Sequence, residues 1–190
     1  LLLDNFRKYI DLTEDEEKQI IAKAEFASYK TKSILIQPQD DAHFTYFVLK
    51  GILRSYTVDD NGNAHILSFA TPNWWVTDMY SYLTGKPAYM HIDVVEDCEV
   101  IILLKKDVDE LYLKIPKLER FFRILSENNL VANQQRIIDK MALTAEERYE
   151  KFVSKYPTVV NCLPQKHIAS YIGVTPEFFS KMKSKLLRKK

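Results

Sequence analysis

Between Ser33 and Leu104 the apolar residues come in short runs broken by turn-forming clusters. Six runs read as strands: Ser33–Gln37, Phe44–Leu49, Ile52–Val58, Ala64–Ala70, Met90–Val95 and Val100–Leu104, all rich in Ile, Val, Leu, Phe or Tyr. Pro38-Gln39-Asp40-Asp41, Lys50-Gly51, Asp59-Asp60-Asn61-Gly62, Thr71-Pro72-Asn73 and Gly85-Lys86-Pro87 separate them. Asn61-Gly62 is the strongest hairpin signal, because glycine reaches positive φ without a Cβ clash. Strands recurring at about 8–12 residues predict an antiparallel roll or barrel, not a parallel sheet with crossover helices.

Helical patterns flank these strands. Thr13-Glu14-Asp15-Glu16 has the form of a capping box, with Ile20, Ile21 and Ala24 as the apolar side of the helix it opens. After Leu104 the pattern is helical to the end. A short helix over Asp107–Leu113 is stopped by Pro116, and a long one follows over 117–143. Its stripe of Leu118, Phe121, Phe122, Leu125, Ala132, Ile137, Ile138 and Met141 is interrupted by Asn128 and Asn129. Such polar residues in an apolar seam set the register of a helix pair. Packing on the chain's own sheet is the alternative. Thr144-Ala145-Glu146-Glu147 is a second capping box, and Tyr149, Phe152, Val153 and Tyr156 form the next amphipathic face up to Pro157.

Charge divides the chain at that second box. Residues 1–143 carry a balance of −5 and residues 144–190 one of +6, within a net charge of only +1. A basic C-terminal unit on a mildly acidic body suggests a polyanionic partner. The 190 residues, 46% of them hydrophobic, suffice for a packed core. No apolar run approaches the roughly 18 residues of a membrane span, and Leu1–Leu3 run at once into Asp4 and Asn5, unlike a signal peptide. The first residue is Leu rather than Met, so further residues are expected to precede it. Only four glycines are present, which excludes Gly-rich phosphate loops. Cys98 and Cys162 match no metal-ligand or disulfide framework and read as reduced thiols of a cytoplasmic protein.

The most specific signal is QKHIASYIGVTPEFFSKMKS, residues 165–184. Ile168, Ile172, Val174, Phe179 and Met182 fall where a helix–turn–helix buries apolar side chains. Ala169 is small where the helices cross, and Gly173 suits the tight turn. Thr175 can N-cap the second helix, Pro176 fits its first position and Glu177 suits the positive end of its dipole. Lys181, Lys183, Lys185, Arg188, Lys189 and Lys190 follow, as phosphate contacts require. Thr175, Glu177, Phe178, Ser180 and Lys181 stand near the N-terminal end of the recognition helix, within reach of base edges. Gln165, Lys166, Lys183 and Lys185 complete the expected DNA-binding set, and Phe178 is expected outside the core. His167 reads as a surface or phosphate contact.

An antiparallel roll, a long helix and a C-terminal helix–turn–helix resemble the Crp/Fnr family of bacterial transcription regulators. RYEKFVSKYP followed by LPQKHIASYIGVTPEFFSKMKSKL is similar to the branch common in Bacteroidetes. The resemblance implies an α+β fold. Residues 1–116 would form a cyclic-nucleotide-binding-like double-stranded β-helix, 117–143 a dimerisation helix, and 144–190 the helix–turn–helix domain. It also implies a homodimer joined along 117–143, a palindromic operator in double-stranded DNA and, should the protein activate transcription, RNA polymerase as a partner. The family's β-hairpin wing is not expected in a chain that stops at Lys190, leaving backbone contacts to the basic tail.

In cAMP-binding members the phosphate lies against a Gly-Glu and an Arg-Ser pair. Aligned with that segment, Thr77 and Asp78 replace the first pair and Ala88 and Tyr89 the second. With no arginine there, a buried phosphodiester would lack its counter-charge, so cAMP binding is not expected. Trp74, Trp75, Tyr80, Tyr82 and Tyr89 either line a site for another small-molecule effector, with Asp78 orienting it, or simply fill the roll. No cofactor is expected. A cupin-type enzyme would need clustered ligands, whereas His43, His65 and His91 are scattered along the chain. A third reading is a sensing module without DNA binding.

Overall fold

The computed structural model describes residues 1–188. Two short helices, α1 (Leu2–Arg7) and α2 (Glu14–Ala22), precede β1 (Glu25–Tyr29), β2 (Ile34–Ile36), β3 (Phe44–Val58), β4 (Ala64–Ala70) and β5 (Trp75–Val76). Then follow α3 (Met79–Thr84), β6 (His91–Leu104), α4 (Lys105–Lys114), α5 (Lys117–Ala142), α6 (Ala145–Lys155), α7 (Gln165–Ile172) and α8 (Pro176–Arg188). The architecture is α+β. The sheet runs β1-β6-β3-β4, with β2 added to β6 and β5 to β3, and every pairing is antiparallel.

The two long strands correct the sequence reading. Phe44–Leu49 and Ile52–Val58 are one strand, as are Met90–Val95 and Val100–Leu104, paired from Phe44↔Leu104 to Tyr56↔His91. Lys50-Gly51 is not a turn but the centre of a series of register shifts that bends the pair. Gly51 has φ +84°, and a Cβ there would sit 2.3 Å from the Asp97 carbonyl oxygen. Only glycine allows this approach. The Asn61-Gly62 signal does mark a hairpin. Its loop is the three residues Asp60–Gly62, closed by Asp59 N–H donating to Asn63 O. The Asp59 carboxylate also accepts from Asn61 N–H and Asn63 N–H.

Three apolar clusters hold the chain. The interior of the roll contains Ile36, Tyr46, Val48, Leu53, Ile92, Val94 and Val100. A second cluster joins Leu2, Phe6, Ile20, Phe47, Leu111, Leu118 and Phe121, clamping α1, α4 and the start of α5 onto the sheet. Ile21, expected on the apolar side of the first helix, is 49% exposed. The third cluster unites Ile52, Ile66 and Phe69 of the sheet with Phe152, Tyr156, Ile168, Ile172 and Phe179 of the last three helices.

Both capping boxes form as read: Thr13 accepts from Glu16 N–H and Thr144 from Glu147 N–H, with each glutamate returning to the cap N–H. Within α5 only Leu118 and Phe121 are buried. From Leu130 onward, Leu130, Val131, Ile137, Ile138 and Met141 are exposed, Met141 to 85%. Asn128 is exposed, and Asn129 accepts from the Asn133 side chain within the same helix.

Candidate nucleic-acid interface

Helices α7 and α8 meet as the apolar spacing requires. Ile168, Ala169, Ile172, Phe179 and Met182 are buried and Val174 is half-buried. Gly173 ends α7 in the left-handed region at φ +76°, and its turn is braced by Arg148, whose Nε donates to Ile172 O and Nη1 to Leu143 O. Thr175 Oγ1 accepts from Phe178 N–H at 3.2 Å, so α8 begins at a side-chain cap.

The outer side of α8 faces solvent. Thr175, Glu177, Phe178, Ser180 and Lys181 are all exposed, Phe178 to 52%. Helical spacing puts Glu177, Ser180, Lys181 and Ser184 on one stripe, opposite Phe179, Met182 and Leu186. Ser184 was missed in the sequence. It lies one turn after Ser180, to whose carbonyl its hydroxyl donates. Gln165 and Lys166 are exposed at the start of α7, and Lys183 is half-buried on the flank of α8. Lys185 is exposed and pairs with Glu146 at 3.7 Å on the surface, an ion pair too weak to withdraw it from an incoming phosphate. Lys189 and Lys190 lie outside the described residues.

His167 departs from the sequence reading. It points back to the sheet rather than outward. Arg54 of β3 donates from Nη1 to His167 Nε2 at 2.5 Å, while its Nε and Nη2 grip both oxygens of the Asp93 carboxylate at 2.6 Å. A guanidinium has no acceptor, so His167 is neutral with its proton on Nδ1. Burial, then the Arg54 and Lys166 charges, push its pKa down to about 4, against a smaller opposing effect of Asp93. Arg54 also lies 4.6 Å from the centre of the Tyr56 ring, which stacks on His91.

The residues read as an effector segment do come together around α3, through the backbone. Asp78 is fully buried and N-caps α3; its carboxylate accepts from Ser81 N–H at 2.9 Å and from Tyr89 and Met90 N–H, each at 3.1 Å. Asp78 therefore anchors the segment's own turns. Ala88 is also fully buried, Thr77 donates its hydroxyl to Phe44 O, and Tyr89 is 54% exposed. The aromatic residues disperse. Trp75 packs among Phe6, Phe47, Phe121 and Phe122 and donates to Asn5. Trp74 meets Tyr156, Tyr80 meets Tyr89 at the surface, and Tyr82 lies under Lys105. Two shallow hollows of about 460 and 490 Å³ lie elsewhere, the first beside Leu2, Arg7 and Ile101 and the second beside Leu3, Glu14 and Ile21. The helix α3 itself carried a legible signature, Asp78 as N-cap and Gly85 as left-handed C-cap at φ +70°.

Among the described residues, no group of three or more His, Cys, Asp or Glu side chains is placed to hold a metal ion. His43 and His65 are exposed, the latter bound to Asp59, and His91 and His167 are held as above. Among the same residues no helix is long and apolar enough to cross a membrane.

A bent antiparallel roll and a long helix are thus joined to an outward-facing helix–turn–helix. The family model of the cyclic nucleotide-binding domain matches residues 26–114. The Anaerobic regulatory protein of Haemophilus influenzae is 22% identical over 161 residues, which are 78% of this chain and 62% of that protein. The chain thus spans about three fifths of this relative's length. Among solved structures, FixK2 from Bradyrhizobium japonicum superposes with a TM-score of 0.76 at 20% identity, over 87% of this chain and 85% of that one. The c-di-GMP responsive global regulator CLP of Xanthomonas campestris gives 0.75 at 13% identity, over 93% of each chain. In its roll and helix–turn–helix the chain is similar to regulators of the Crp/Fnr type, and the fold is shared with them.

Proposed function

We propose that this protein is a sequence-specific DNA-binding transcription regulator of the Crp/Fnr type, acting as a homodimer on a palindromic operator. The observation that carries the reading is the exposed stripe Glu177, Ser180, Lys181 and Ser184 on a capped helix whose opposite side is locked in the core. Lys181 donates to guanine O6 or N7, and Glu177 accepts from cytosine N4. Gln165, Lys166, Lys183 and Lys185 flank the stripe as phosphate contacts, and Thr175 and Phe178 reach the groove edge, Phe178 against a thymine methyl. The exposed rows Leu130, Ile137, Met141 and Val131, Ile138 repeat as a dimer seam needs, which supports pairing of two α5 helices. RNA polymerase would be a further partner at promoters it activates.

The roll acts without cAMP. Arg54 is bound to Asp93 and His167 on the face turned toward the helix–turn–helix, and the carboxylate of Asp78 already accepts from the N–H groups of Ser81, Tyr89 and Met90. Any effector is of another kind. Titration calorimetry with cAMP should show no heat of binding, and a micromolar affinity would contradict this.

Selection from random duplex DNA at low and moderate salt, with no added ligand, tests the main reading. An enriched palindrome is expected, with Lys181→Ala losing discrimination at one base of each half-site. Enrichment of nothing, with no DNA affinity at any salt, overturns it in favour of a sensing module.

A further inference from the structure

The sheet order ends at β4, and an edge strand presents N–H and C=O groups with no strand to pair them. Here the helices close that edge. Ser170 of α7 stands in for a partner strand: its Oγ donates to Ala64 O at 2.6 Å and accepts from Ile66 N–H at 3.0 Å. At the bulge where Leu67 is the extra residue, the Arg136 guanidinium of α5 donates to the Leu67 and Ile66 carbonyls. The same guanidinium covers the ring of Tyr171 at 4.7 Å.

Apolar packing continues this contact. Phe69 of β4 is fully buried with its ring against Phe152, Tyr156 and Tyr171, at centroid distances of 6.0, 5.8 and 5.8 Å. On the next strand Arg54 reaches His167. Hydrogen bonds to a strand edge are directional, and the aromatic cluster is shared, so the recognition module has one defined seat on the roll. The seat does not occlude the module, since Glu177, Phe178, Ser180 and Lys181 stay exposed while it is occupied.

We propose that the β4 edge is a positioning platform. Through Ser170 and Arg136 on β4, and His167 on Arg54 of the neighbouring β3, it fixes the orientation of α8, and thereby sets the spacing between the two half-sites that a dimer reads. This rests on the reading of the chain as a dimeric DNA-binding regulator. Each added base pair turns one half-site by about 35° around the duplex relative to the other. A module on a rigid seat cannot follow that rotation, whereas a loosely tethered one can.

The test uses the full chain and palindromes whose half-sites are separated by stepwise insertions, with the single half-site as reference. The variants are Ser170→Ala and the double variant His167→Ala/Ser170→Ala, both of which remove contacts to the sheet and leave the exposed α8 surface unchanged. Wild type should prefer one spacing by about tenfold or more over spacings one base pair away, as a fixed seat requires. The double variant should reduce that preference to about threefold or less while single half-site affinity stays within about twofold, as for sites that do not touch DNA. Amide exchange at Ile66 should rise in Ser170→Ala. An unchanged spacing profile in the double variant overturns the platform and leaves the regulator reading standing. Loss of single half-site affinity overturns it too, because these residues would then belong to the recognition module itself. If wild type binds no palindrome, the regulator reading falls and the platform with it.

Discussion

The roll and the helix–turn–helix unit close their cores in different ways. The interior cluster of the roll, from Ile36 to Val100, is made only of residues from its own strands and loops. The cluster that holds α6, α7 and α8 includes Ile52, Ile66 and Phe69 of the sheet. One unit is self-sufficient and the other is completed by its neighbour. A damaged roll should therefore unseat the recognition helix, whereas damage within the helix–turn–helix should leave the roll intact.

The severest test of that asymmetry is Gly51→Ala. Its Cβ would collide with the Asp97 carbonyl and with Cys98, both backbone and side chain, at 2.3 to 2.8 Å. The loss should exceed about 4 kcal/mol, among the largest effects of single substitutions. Circular dichroism should show both units lost together, and a variant that keeps the native melting temperature would refute the close approach.

Phe69→Ala removes the ring at the centre of the shared cluster and should cost about 3–4 kcal/mol. The loss should fall unequally. Hydrogen exchange is expected to rise throughout α6–α8, with the strand pair β3 and β6 protected. Equal loss in both would show that the units share one core after all.

Acid should act on the same boundary through His167. Its folded pKa of about 4 lies below the ordinary 6.5, so the unfolded chain binds the proton first. The contact is at full strength above about pH 6.5, weakens as the pH falls toward 4, and loses nothing more below that. The groups facing it are Arg54 and Lys166, which oppose protonation, and Asp93, which favours it less strongly. Melting curves between pH 7 and pH 4.5 should show a fall that His167→Ala reduces.

The smallest expected effects lie in local geometry. Gly173→Ala meets only ordinary space, with Lys140 Cε 3.9 Å from the new Cβ, so its cost is the left-handed backbone alone, about 1 kcal/mol. Thr144→Ala removes the cap of α6, also at about 1 kcal/mol. Chemical denaturation should place both well below Gly51→Ala. A Gly173→Ala loss as large as that of Gly51→Ala would erase the distinction between a strained glycine and a crowded one.

How far the fold was legible followed the range of the interactions. The caps at Thr13 and Thr144, the turn at Gly173 and the five apolar positions from Ile168 to Met182 all depend on neighbours within a few residues. The strand β1 went unread because its outward alternation is weak and only pairing with β6 defines it. Splitting β3 at Lys50-Gly51 mistook a bulge for a hairpin, since nothing adjacent in the chain reveals that Glu96 and Glu99 lie opposite.

The sequence by itself determined the order of a strand-rich roll, a long helix and a capped helix–turn–helix, together with the outward set Glu177, Phe178, Ser180 and Lys181. Those features follow from periodicity, capping and turn chemistry, which act locally. Only the tertiary structure decided that Asp78 also ties Tyr89 and Met90 to α3, that His167 and Ser170 face the sheet, and that Arg54 reaches across to His167. Each of those contacts joins residues from separate elements, and a hydrogen bond 113 positions apart in the chain leaves no periodic trace.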